Sequence, residues 1–111
     1  MKADKLKNCV QHTLIQWEQQ KPELERVYRE REEKRMDLLQ PAIDQLKSLI
    51  ESSGLVENSY TGKKHFTLAP NNYEERIEFI QQQHTSHYSL IQLTMLYDEV
   101  KKKAARLRVQ Q

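Results

Sequence analysis

The 111 residues are 37% hydrophobic and 31% charged, with a formal net charge of +2 and a mean hydropathy of −0.90. That is one domain's worth of chain with a thin core that self-association would help, and its charge is too small to mark a nucleic-acid binder by itself. No apolar run approaches the roughly 20 residues needed to cross a bilayer, no apolar stretch of a signal peptide opens the chain, and one cysteine, Cys9, cannot form an internal disulfide. A soluble cytoplasmic protein without a membrane partner is expected.

From Ala3 to Gln20 the residues Leu6, Val10, Leu14 and Trp17 recur at three- and four-residue steps, the spacing of one helix face. Pro22 then opens a second helix or kinks the first. The stretch Lys21 to Arg35 is almost wholly charged, reads as a solvated helix, and permits i, i+4 pairs such as Glu25 with Arg29 and Glu30 with Lys34. Interleaved glutamates cancel much of the field of Arg26, Arg29, Arg31 and Arg35. Met36, Leu39, Ile43, Leu46 and Ile50 form the next seam, and a proline inside a helix predicts a break near Leu39 or Gln40, with Pro41 opening a third helix that runs to Ser53.

The two glycines of the chain, Gly54 and Gly62, fall where a helix hands over to a β-hairpin. Gly54 suits the left-handed position that ends a helix, and Gly62 the tip of the hairpin, with Ser59-Tyr60-Thr61-Gly62 as its turn. Strands are expected over Leu55 to Ser59 and Lys63 to Leu68, with His65 and Thr67 on one face and Phe66 and Leu68 on the other. After Pro70, Asn71 and Asn72 can cap a long final helix from Tyr73 to Arg108. Its stripe runs through Tyr73, Ile77, Ile80, His84 and Tyr88 and continues as Leu90, Leu93, Tyr97, Val100, Ala104 and Leu107. A helix of that length outreaches a small body, so its far end is expected to meet a second copy.

The segment Asp44 to Ile80, with Gly54-Leu55-Val56, Gly62-Lys63-Lys64 and His65-Phe66-Thr67-Leu68 as its matching parts, resembles the recognition-helix and wing region of winged-helix regulators of the arsenical-resistance repressor type. The resemblance covers about a third of the chain. It implies a mainly α fold with one β-hairpin, winged-helix-like with a long C-terminal helix; the alternative is a helical hairpin or bundle with a β-hairpin connector. One domain, 1–111, is divided into N-terminal helices (1–39), helix plus wing (41–70) and C-terminal helix (71–111).

Two functions follow. In the first, a dimeric DNA-binding regulator contacts DNA through Gln40, Gln45, Lys47, Lys63, Lys64 and His65, and dimerises through Leu6, Val10, Leu14, Trp17, Leu90, Leu93, Tyr97, Val100 and Leu107. In the second, motivated by a third helix without the arginines that commonly read guanine, the chain is a non-catalytic helical adaptor, chaperone-like or regulatory module that binds a partner protein. Cys9 with His12, and His84 with His87, are i, i+3 pairs that could together ligate zinc, but helical residues three apart occur constantly by chance, and His84 in the packing seam with Cys9 as a small half-buried residue is the stronger reading, so no metal or cofactor is expected. Lys101, Lys102, Lys103, Arg106 and Arg108 complement the helix dipole without needing a ligand. No nucleophile motif, phosphate loop or isolated carboxylate pair is present, so catalysis is not expected.

Overall fold

The computed structural model describes the backbone of residues 2–110 and the side chains of residues 5–107. The elements are α1 (Lys2–Arg29), α2 (Arg35–Ser52), β1 (Leu55–Glu57), β2 (Lys64–Phe66), α3 (Tyr73–Gln82) and α4 (His87–Gln110). The protein is thus mainly α with one antiparallel β-hairpin, and a helical bundle with a hairpin connector describes it equally well. Helices α1, α2 and α4 pack on one another, while α3 lies on α4. The long axis of 44 Å is close to the length of α1, about 42 Å at 1.5 Å per residue.

The expected break at Pro41 does not occur, and α1 likewise runs through Pro22. Both prolines sit on exposed positions, as do Glu18 and Asp37, whose carbonyls lose their helical partner. Water can take up those carbonyls, so neither proline ends its helix.

The chain instead reverses at residues 30–34. The Glu32 amide donates to the Val27 carbonyl (2.9 Å) and the Arg31 amide to that of Tyr28 (3.3 Å), the paired bonds of a Schellman ending with Arg31 in the left-handed position at φ 54°. Arg26 ties the turn together by pairing with Glu23, with Glu30 (2.5 Å) and with Glu32 (2.5 Å), while Lys34 reaches Glu32 at 3.6 Å. These pairs stand in place of the Glu25–Arg29 and Glu30–Lys34 pairs that spacing permits; the second is lost because the chain leaves the helix before Lys34. Gln20 and Gln45 lie almost equally far in sequence from the turn and exchange amide hydrogen bonds at 3.4 Å, so α1 and α2 run antiparallel.

The core is closed within the chain. Trp17, Leu24 and Val27 of α1 meet Leu39, Ile43, Leu46 and Ile50 of α2 and Leu93, Leu96, Tyr97 and Val100 of α4, all almost wholly buried. Met36, expected in the α2 seam, is exposed.

Gly54 (φ 80°) ends α2 and Gly62 (φ 71°) closes the hairpin, both as expected. The strands are shorter than expected, pairing Leu55 with Phe66, Val56 with His65 and Glu57 with Lys64. Asn58 organises the tip: its Oδ1 accepts from the Tyr60 and Thr61 amides (2.8 and 3.0 Å), and its own amide donates to the Lys63 carbonyl (2.8 Å). Leu68 is buried and Phe66 half-buried, whereas β1 is exposed throughout. Asn72 enters α3 in the left-handed conformation without capping it through its side chain.

The long final helix is two helices. The chain breaks at residues 83–86, where Ser86 Oγ accepts from the Tyr88 amide (3.1 Å) and so caps α4. The His84 carbonyl accepts instead from the Tyr28 hydroxyl at 2.6 Å. This bond joins the α3–α4 turn to the end of α1.

Candidate interaction surfaces

Where α1, α2 and α4 meet, the Trp17 and Tyr97 rings stack. The Tyr97 hydroxyl donates to the Ala42 carbonyl at 2.6 Å and accepts from Gln45 Nε2 at 3.1 Å. Burial pushes the Tyr97 phenol well above its ordinary range, against the smaller opposing effect of the Gln45 bond. Gln45, a candidate reader of bases, is therefore held between helices. Trp17, Leu90, Leu93, Tyr97 and Val100, candidates for a dimer seam, are buried inside the single chain. Leu6, Val10, Leu14 and Leu107 border a groove between α1 and α4 that remains open.

The outward face of α2 is acidic. Asp37, Asp44 and Glu51 recur every seven residues along it, with Pro41 and Ser48 between them, and Gln40 donates to Asp44 Oδ1 at 2.9 Å. Lys47 is half-buried. A helix offered to a phosphate backbone in this way meets it with like charge. Lys63, Lys64 and His65 are exposed on the hairpin.

Cys9 and His12 do not come near His84 and His87. The His84 carbonyl is bonded at Tyr28, and Cys9 lies about 28 Å back along α1 at 1.5 Å per residue. Among the described residues, no group of three or more His, Cys, Asp or Glu side chains is placed to hold a metal ion. The His84 and His87 region packs around Tyr28, with the His87 ring 6.4 Å from the Tyr28 ring and the Arg35 guanidinium 5.9 Å over it. Lys101, Lys102 and Arg106 are exposed, Lys103 is half-buried, and the side chain of Arg108 lies outside the described residues. No described helix is long and apolar enough to cross a membrane.

One exposed apolar face was not anticipated. Tyr88, Ile91 and Met95 occupy one face of α4 at three- and four-residue steps, exposed to 51%, 47% and 47%. Phe79 of α3 extends the face by meeting the Tyr88 ring edge-on, with centroids 5.8 Å apart. The expected seam absorbed Tyr88 because a single stripe was drawn through His84, and the break at Ser86 rotates Tyr88 outward. The signal was available in the α4 segment HYSLIQLTMLY, which carries apolar residues on two faces. Glu75, Glu78 and Asp98, all exposed, border this patch together with Arg76 and Lys102, which line one cleft with Met95 and Asp98.

The arrangement defines a small helical protein that offers side-chain surfaces. The sequence model of the YpoC-like protein family matches residues 7–111, nearly the whole chain, and the chain belongs to that family. No curated protein and no solved structure matches it significantly.

Proposed function

We propose that the chain is a non-catalytic cytoplasmic interaction module whose α3–α4 face receives an apolar helix of a partner protein. The observation that carries this reading is the contiguous exposed face of Phe79, Tyr88, Ile91 and Met95. Aromatic side chains and methionine dominate the centres of protein interfaces, because they remove much apolar area from water at little conformational cost. The border carries both signs, Glu75, Glu78 and Asp98 against Arg76 and Lys102, and offers charged partners to the flanks of an incoming helix.

Site-specific photo-crosslinking in cells tests this reading. A crosslinker at position 91 should trap a discrete partner that a crosslinker at position 44, on the acidic face of α2, does not. Tyr88→Asp with Met95→Asp should abolish the capture. Capture of the chain by itself, or equal capture at both positions, would overturn the reading.

The exposed Lys63, Lys64 and His65 favour a second reading, a DNA-binding regulator that contacts phosphates through the hairpin as the winged-helix resemblance implies. Binding to a pool of random-sequence duplexes, steeply salt-dependent and lost in Lys63→Glu with Lys64→Glu, would favour that reading over the first.

A further inference from the structure

The open groove between α1 and α4 has a chemistry of its own. Leu6, Val10 and Leu14 form one wall, Ala104 and Leu107 the other, and Leu68 from the segment after β2 is part of the lining. The cavity is about 290 Å³, at the lower edge of the roughly 300–1,000 Å³ typical of small-molecule sites. It is too small for several turns of a partner helix but suits one flexible alkyl chain. The only charged side chains lining it, among the described residues, are Lys7 and Lys101, one from each wall and both exposed. Among the described residues, no carboxylate lines it.

We infer that this groove binds a single-chain amphiphile with an anionic head, a free medium-chain carboxylate, with the chain against the leucines and the head between Lys7 and Lys101. Burial of the chain supplies affinity through apolar area removed from water, and the two ammonium groups fix its direction. The Trp17–Tyr97 stack joins α1 to α4 outside the groove, so a ligand there need not break that contact. The inference is independent of the α3–α4 face.

Titration calorimetry of the whole chain with decanoate tests it, with decyltrimethylammonium as the cation of equal chain length. Saturable binding of one decanoate per chain is expected, at least tenfold tighter than the cation. Lys7→Glu with Lys101→Glu, both at exposed positions, should weaken decanoate at least tenfold and leave the circular dichroism spectrum unchanged. Ala105→Trp, which fills the groove from the α4 side, should weaken both amphiphiles. Failure of decanoate to saturate, equal affinity for the cation, or affinity unchanged by both variants would overturn the inference. So would binding of an acidic amphipathic peptide helix in place of decanoate, which would assign the groove to a protein ligand.

Discussion

The indole of Trp17 lies flat on the ring of Tyr97, with centroids 4.1 Å apart and planes 2° from parallel. The two residues are 2% and 1% exposed and come from the first and last helices, so this contact joins the ends of the chain. Removing the ring in Trp17→Ala should cost about 3–5 kcal/mol, enough to threaten folding of a small domain. Tyr97→Phe keeps the stack and removes only the hydroxyl shared by Ala42 and Gln45, at a cost of about 1–2 kcal/mol. Urea unfolding followed by fluorescence of Trp17, the sole tryptophan, checks the second variant, and circular dichroism the first.

Arg31 occupies a left-handed position that a side chain resists by about 1–2 kcal/mol. Arg31→Gly should therefore raise stability, by about 0.5–1 kcal/mol after the entropy of the added glycine is subtracted. Gly54→Ala is the mirror experiment and should lower it by about 1 kcal/mol, because Gly54 holds φ 80° although nothing crowds the missing side chain. The midpoints of chemical denaturation should move in opposite directions.

The α3–α4 face should separate binding from folding. Ile91→Asp removes an exposed side chain, so stability should change by no more than about 0.5 kcal/mol. Partner affinity should fall by about 2 kcal/mol or more if Ile91 sits at the interface centre, and comparing thermal melting with partner capture tests both halves.

Alkaline pH should unfold the protein. Burial pushes Tyr28 and Tyr73 up to about 12 and Tyr97 further. Because these pKa values are higher in the folded state, their contribution is complete below the ordinary tyrosine value near 10 and is lost as pH rises through the folded values. Helical circular dichroism should thus hold to about pH 10 and fall above it, together with ionisation of the buried phenols. Acid acts through the turn, where hydrogen bonding to Arg26 holds Glu23 below its ordinary range. Arg26 also overcomes the burial that would raise Glu32. Stability from these two carboxylates is present above their unfolded pKa and is lost as pH falls through the lower folded values.

Glycine and proline were legible to different degrees. Gly54 and Gly62 stand where the chain needs positive φ, so the end of α2 and the hairpin could be read from residue type alone. Pro22 and Pro41 misled, because the cost of an interior proline depends on whether the freed carbonyl faces water, which only the packed helix decides. The turn at Arg31 carries no glycine and the break at Ser86 no proline. Ser86, an N-cap residue inside an apparently continuous stripe, was the one local sign of that break.

Periodicity by itself determined that Leu39 to Ile50 and Leu90 to Val100 present apolar seams, because side-chain direction along a helix follows from its 3.6-residue repeat. Which surface covers each seam is a matter of where the chain turns. With reversals at Arg31 and Ser86, α1 and α2 cover the α4 seam within one molecule, and Gln45 is drawn into the space between them. The same turns leave Phe79, Tyr88, Ile91 and Met95 outside, so which of the two apolar faces of α4 stays exposed was decided by the tertiary structure.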